Sequence, residues 1–399
     1  MTPRSLTLTK SVSSELVHEV FTERYGTAPL LVHSPGRINL LGEHTDYNNG
    51  FVMPAAIDKG VRFAIAKSAG PKAEIYSVKY KASIEVDPAN PSKVASPLWA
   101  NYLLGVMERL TQKGLVSEPF NCVFDGNLPT GAGLSSSAAL ECGFVFALNE
   151  VFKFGLSRHE MIHIAQWAEH HYVGVMCGIM DQFASMMGKV DHAMILDCQS
   201  LEHAYFPLEL DQCELLLVDT GVKHSLASSA YNTRRQECEE GVRLLRQVYP
   251  EIKTLRDVSH ENVLANKRLL PEVIFNRCAY VTAENERVLA AGENLKKNQL
   301  VEFGRKMYQT HEGLSKLYEV SCAELDFLVE HAKENQVMGS RMMGGGFGGC
   351  TLNIIDKGTT DNFIQQLIPA YYAKFGIHVK TYRVKLDQGT SLIATKVIL

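Results

Sequence analysis

The sequence predicts an α+β fold: two lobes of mixed or antiparallel sheet and helices, with the active site in the cleft between them. Three observations predict it. Strand-like and helix-like segments are mixed without strict β-α-β alternation, which disfavours a doubly wound parallel sheet. The chain has 399 residues, enough for two or three domains at roughly 100–200 residues each. Its polar, glycine-bearing loops at 34–50, 128–137 and 339–349 are spread over both halves, and to serve one site the halves must face each other. No Pro/Gly/Ser linker marks the division. The polar stretch near 205, between two strands, is the expected boundary, giving domains 1–205 and 206–399.

The elements follow from periodicity and punctuation. Residues 11–25 read as an amphipathic helix stopped by Gly26. Leu30–His33 is a strand, and Ser34 to Gly50 a polar loop. Short strands are expected at 60–67, 74–79 and 82–87, closed by Pro88 and Pro91. Trp99, Tyr102, Leu103, Val106, Met107 and Leu110 recur at helical spacing over 97–112. Phe120, Cys122 and Phe124 alternate with polar neighbours as a strand does. Ser135-Ser-Ser137 opens a long apolar helix to about Phe152, with Gly155 beyond its end. Ser157 caps the next helix, through about Tyr172, and Gly178–Gly188 is a short one. Strands at 192–198 and 213–219 precede a helix from about Leu226 to Val248. Residues 270–335 are helical, with breaks near Asn298 and Ser321. A strand at 351–356, a helix near 360–375 and a strand at 378–385 follow.

Composition excludes several classes. Apolar residues make up 46 % and charged residues 21 %, the balance of an ordinary globular chain and not of a disordered one. Forty Lys plus Arg against 44 Asp plus Glu give a formal charge of −4, with no basic footprint for nucleic acid or an anionic membrane. Any anionic ligand must be held by local devices. The nine cysteines are scattered and contain no CxxC pair, so reduced thiols and a cytoplasmic location are expected. The first twenty residues show no leader-like apolar run, and no stretch approaches 18 uninterrupted apolar residues. The sequence does not give an oligomeric state; a monomer is the working expectation.

Three loops carry chemistry. Leu128-Pro-Thr-Gly-Ala-Gly-Leu-Ser-Ser-Ser-Ala-Ala-Leu140 joins a strand to a helix start. Glycines let backbone approach a phosphate, and a helix N-terminus favours negative charge. The loop is not a Walker A sequence, since no Lys follows its glycines. A capped core helix would look the same. Gly36-Arg-Ile-Asn-Leu-Leu-Gly-Glu-His-Thr-Asp-Tyr-Asn48 crowds Arg37, Glu43, His44 and Asp46 beside a strand. Such a set can bind a polyol through many hydrogen bonds, although most polar loops are simply solvated turns. Gly344-Gly-Gly-Phe-Gly-Gly349 formally contains GxGxxG but is followed by a strand, not a helix, so it is not a dinucleotide fingerprint. It suits a close backbone approach to another loop or a ligand, or a tight hairpin. His159-Glu-Met-Ile-His163 matches HExxH without a third-ligand pattern and is set aside as a zinc site.

Together these loops resemble the three motifs of the GHMP small-molecule kinases, and residues 36–48 resemble the galactokinase signature within that superfamily. Further matches are Glu169 in WAEHHYVG, CGIMDQF at 177–183 and SLASSAYNTRRQEC at 225–238. The likeness runs in family order from residue 30 to 350. It implies the two-lobed GHMP-kinase fold and ATP-dependent phosphorylation of D-galactose at O1, the first step of galactose use by the Leloir route. It implies Asp181 as catalytic aspartate with Arg37 beside it. It implies sugar binding by Glu43, His44, Thr45, Asp46, Gly178 and Tyr231. ATP would lie on Ser77 and on Gly131, Ala132, Gly133, Leu134, Ser135, Ser136 and Ser137, with Mg²⁺ on Ser137 and Glu169. Met343 departs from the family's usual Thr before the third glycine run, removing a hydroxyl. An acetamido sugar needs room beside the 2-hydroxyl that sequence alone does not show. The Ser-rich loop has no gap, which sets aside a non-catalytic sugar sensor.

Overall fold

The computed structural model describes residues 14–129, 132–223 and 227–394. In chain order, α1 (Ser14–Tyr25) precedes β1 (Leu30–Asn39), β2 (Phe51–Val52), β3 (Pro54–Lys67), β4 (Ala73–Ser77) and β5 (Ala82–Val86). Next come α2 (Ala100–Gln112), β6 (Phe120–Gly126), α3 (Ser136–Phe152), α4 (Arg158–Ala168) and α5 (Met180–Met187). β7 (His192–Asp197), β8 (His203–Pro207) and β9 (Cys213–Lys223) lead into α6 (Ala227–Leu245), α7 (His260–Ala265), α8 (Glu272–Lys296), α9 (Leu300–Lys316) and α10 (Ala323–Glu334). The last elements are β10 (Gly339–Met343), β11 (Gly348–Asp356), α11 (Thr360–Phe375), β12 (Lys380–Val384) and β13 (Ser391–Leu392).

Among the described residues the strands form three sheets. A six-stranded sheet has the order β13-β1-β3-β6-β4-β5, a four-stranded one β10-β11-β9-β12, and a three-stranded one β2-β7-β8. Among the described residues only β4 and β6 pair in parallel. The α+β expectation therefore holds, with mixed and antiparallel sheets.

Burial explains the strands. In β9, Leu215 and Leu217 enter one core while Leu216 and Val218 enter another. A strand covered on both faces reads as a continuous apolar run, which is why it was legible. In β3, Phe63 and Ile65 face the main core and Ala64 packs under α1. That main core runs from the first sheet through α3 to Leu352, Ile354 and Val384, so both halves share it. A division at 205 would cut through β8, and β13, from the end of the chain, pairs with β1.

Several expected boundaries are corrected. The segment after His33 is not a loop: β1 continues through Ser34, Arg37 and Asn39, all buried. β3 begins at Pro54, six residues earlier than expected, and pairs with that polar part of β1. β8 and α7 lay between the expected elements. The helix expected through Tyr172 ends at Ala168 and widens into a π-turn over Glu169–Val173. The expected start of the next long helix at Leu226 lies outside the described residues. The third glycine loop is a hairpin turn between β10 and β11, with Gly344, Gly346 and Phe347 at positive φ.

Candidate active site

Arg37 lies on a strand buried on both faces, so its charge needs partners. The pairing of β1 with β3 slips between Pro35 and Arg37, and a bulge of this kind re-aims a side chain. Arg37 Nε donates to Asp181 Oδ1 at 2.8 Å and Nη1 to the Gly133 carbonyl at 2.5 Å. Its backbone N–H donates to Leu134 O at 3.3 Å. Burial alone would lower its pKa, but the carboxylates of Asp181, Glu43 and Asp46 outweigh burial and raise it.

Asp181 sits in the first turn of α5. Its second oxygen accepts from Ser135 Oγ at 2.5 Å. Ser135 is the residue before α3 and has φ +55°, and its side chain does not cap the helix. The first-turn N–H groups of α3 thus lack a side-chain cap, the situation in which a helix start binds anions.

The other carboxyls differ in environment. Glu43 is buried and accepts from Arg341 Nη2 at 2.6 Å and from Gly344 N at 2.7 Å. Burial, then the charge of Asp181, pushes Asp46 up to about 7. Gly178 is packed so closely that a Cβ there would strike the Asp46 carboxylate. Burial and Asp181 also push Glu169 up to about 7, against hydrogen bonds from Ser137 and Cys177. Gln182 Nε2 donates to Glu169 at 2.8 Å. Glu141, one turn beyond Ser137, is fully buried with both oxygens unpartnered. Burial, then the charge of Glu169, raises it well above the carboxylate range.

These groups border two cavities. One of about 400 Å³ is lined by Arg37, Glu43, Asp46, Asp181, Glu169 and Tyr231 and by the Gly344–Gly346 turn. That size suits a small ligand with several polar contacts. The other, of about 260 Å³, is lined by Ser77, Trp99, Tyr102, Phe124, Ser136 and Ser137. The Trp99 indole N–H and the Ser77 hydroxyl are buried on this side without a protein partner.

The family model described as the galactokinase galactose-binding signature matches residues 19–67, GHMP kinases N terminal domain matches 101–189, and GHMP kinases C terminal matches 292–374. The galactokinase of Thermosipho africanus is 40 % identical over 91 % of this chain and 99 % of its own. The crystal structure of Lactococcus lactis galactokinase complexed with galactose superposes with a TM-score of 0.90 at 33 % identity, covering 95 % of this chain and 99 % of that one. The chain belongs to the galactokinase family of GHMP kinases. Mevalonate kinase from Methanococcus jannaschii shares the fold at 17 % identity, TM-score 0.64, over 90 % of this chain and 99 % of that one.

Most of the residues expected at the site are brought together. Arg37, Glu43, His44, Asp46, Glu169, Gly178, Asp181 and Tyr231 all line the larger cavity. Ser77, Ser136 and Ser137 line the smaller. Thr45 does neither: its hydroxyl turns inward, within 2.8 Å of Gly42 O and 2.6 Å of Phe51 O, and holds its own turn. Ala132 and Leu134 send their side chains into the main core, leaving only backbone for a ligand. Gly133 faces the third loop, its Cα region close to Gly344 and Met343 O. Gly131 lies outside the described residues. Met343 is buried in the main core, so its side chain is packing. The HExxH match is explained locally: Glu160 closes a capping box with Ser157, and the His159 ring packs edge-on to Phe183.

Sequence reasoning missed Arg341, Trp99, Tyr102 and Glu141. Arg341 had a signal: an arginine inside an apolar strand requires an opposite charge. Trp99 and Tyr102 looked like ordinary core positions on a helix, and nothing in their spacing marked them.

Proposed function

We propose that the chain is an ATP-dependent galactokinase that phosphorylates D-galactose at O1, giving galactose 1-phosphate and ADP. The observation that carries this reading is Asp181, held between Arg37 and Ser135, with Ser135 leading directly into Ser136 and Ser137 of the second cavity. One carboxylate thus stands where a polyol pocket meets a helix start suited to phosphate.

In this reading the sugar occupies the larger cavity against Glu43, His44, Asp46, Gly178 and Tyr231. Asp181 accepts the O1 hydroxyl proton as oxygen attacks the γ-phosphorus and the bond to the ADP oxygen breaks. Arg37 stabilises charge on the transferring group, since phosphoryl transfer rests on positioning and charge neutralisation. The α3 start receives phosphate oxygens on its backbone N–H groups. The base enters the smaller cavity, where the unpartnered Trp99 N–H and Ser77 hydroxyl await acceptors.

Ser137 and Glu169 are the residues that would hold Mg²⁺. Glu141 supports the fit: its fully buried carboxyl lies beside that of Glu169, and burial and that neighbouring charge disfavour its ionised form, an arrangement that a nearby cation relieves. Bound Mg²⁺ supplies neutralisation of phosphate charge through oxygen ligands. A cytoplasmic setting suits nine cysteines that are all unpaired. Among the described residues no helix is long and apolar enough to cross a membrane.

A coupled ADP-release assay over a panel of sugars tests the reading. D-Galactose should give the highest kcat/KM. A higher value for N-acetylgalactosamine would overturn the assigned substrate.

A further inference from the structure

Three hydroxyls meet beneath the Arg37–Asp181 pair, and none belongs to the site itself. Ser34 lies on β1, three residues before Arg37; Ser185 lies on α5, four residues after Asp181; Thr390 comes from the end of the chain. All three are fully buried. Ser185 Oγ donates to the Pro35 carbonyl at 2.7 Å, and Thr390 Oγ1 donates to the Ser185 carbonyl at 3.0 Å. With both of those protons committed, the single Ser34 hydroxyl proton goes to the nearer acceptor, Thr390 Oγ1 at 2.9 Å, and Ser185 Oγ lies 3.3 Å from Ser34 Oγ. The arrangement has one proton order and satisfies every hydroxyl.

The segment around Thr390 is fixed along its length. Asp58 N donates to Lys385 O at 2.9 Å and Asp387 N to Ala56 O at 3.0 Å. Gly389 N donates to Gly188 O at 2.8 Å, Thr390 N to Ser185 O at 2.8 Å, and Ile393 N to Leu31 O at 2.9 Å. Gly389 passes so close to the end of α5 that a Cβ would strike Met186 O. The strap therefore touches β3, α5 and β1 in turn.

We infer that this C-terminal strap, through Thr390, is a positioning device for the Arg37–Asp181 pair. It locks the register of α5 against β1 at the pleats next to the reacting groups. The inference rests on the reading of Asp181 and Arg37 as the transfer site. Thr390 and Ser34 act only through those two residues and touch no ligand cavity. Since displacement of about 1 Å can cost roughly 10²-fold in rate, a loosened clamp changes kcat rather than substrate affinity.

The test is steady-state kinetics of the full chain carrying Thr390→Val, Thr390→Ser or Ser34→Ala, with Asp181→Asn in parallel. Thr390→Val should lower kcat about tenfold, as expected for a sub-ångström misplacement, with KM for galactose and ATP within about twofold. Thr390→Ser should restore kcat. Ser34→Ala, which keeps the Thr390 bond to α5, provides the same readout if the valine variant does not fold. Wild-type kcat in Thr390→Val or in Ser34→Ala overturns the inference, as does a kcat loss that Thr390→Ser fails to restore. If Asp181→Asn keeps full activity, it is instead the catalytic reading beneath the inference that fails.

Discussion

Arg341 and Glu43 show how a residue's role can hide behind its type. Glu43 stands in a polar loop and reads as a sugar ligand, yet one of its oxygens binds a fully buried guanidinium and the Gly344 N–H. The pair ties the first loop to the third. Removing one partner of a buried pair leaves the other uncompensated, at about 3–5 kcal/mol. Arg341→Met should lose that much stability in urea unfolding; a loss within about 1 kcal/mol, the range of an exposed pair, would contradict the clamp. His44 is a second case. Its Nε2–H donates to Gly345 O at 3.2 Å and its Nδ1 accepts from Tyr47 Oη at 2.8 Å. Burial lowers it to about 4, from 6.5. Between these values the unfolded chain holds the extra proton, so His44 contributes less stability as pH falls. Asp46 and Glu169, raised to about 7, act in the opposite sense over that window, so the His44 contribution is read by difference. His44→Gln should be less stable than wild type at pH 7. Its deficit should shrink by about 1 kcal/mol per pH unit from 6.5 to 5, where the unfolded imidazole goes from half to nearly full protonation, and a deficit independent of pH would rule out a buried neutral imidazole.

At the scale of elements, legibility followed periodicity. α3 and α8–α10 were visible because their apolar residues repeat at helical spacing. The far end of β1 was not, because Ser34, Arg37 and Asn39 are polar residues in a strand buried on both sides. Ser34 and Arg37 find their side-chain partners on the strap and α5, 356 and 144 positions away, and the Asn39 side chain accepts from Met53 N on the neighbouring segment. Thr45 differs in kind: its partners, Gly42 O and Phe51 O, are local, but a Thr in a polar loop does not reveal whether it faces a ligand or its own turn. The start of α3 was legible in its glycines and serines, but the bond from Ser135 to Asp181 was not. Ser137 remains on the cavity side, next to Glu169. Ser137→Ala should raise the Mg²⁺ concentration for half-maximal activity several-fold, measured by titrating Mg²⁺ at fixed ATP. An unchanged titration curve would remove Ser137 from the cation site.

Across the whole molecule, the charge of −4 has a structural counterpart. Nothing in the global field draws an anionic nucleotide. The local devices are the uncapped start of α3 and Arg37 beside Asp181. Glu43, Asp46 and Asp181 gather on the side assigned to the neutral sugar. That distant loops must meet at one place was legible. The shared core and the return of β13 to β1 were not, because a pairing between residues 32 and 392 leaves no local trace. Transfer of phosphate through Asp181 at this meeting point is tested by one measurement. It is ADP formation with galactose, ATP and Mg²⁺ by the wild-type chain and by Asp181→Asn, with thermal unfolding followed for both. The prediction is galactose-dependent turnover that falls by about 10²–10⁴-fold in the variant, the usual contribution of a positioned base, while the variant still unfolds cooperatively above the assay temperature, its midpoint lowered only by the loss of Arg37's charged partner. Turnover by Asp181→Asn at the wild-type rate would contradict it.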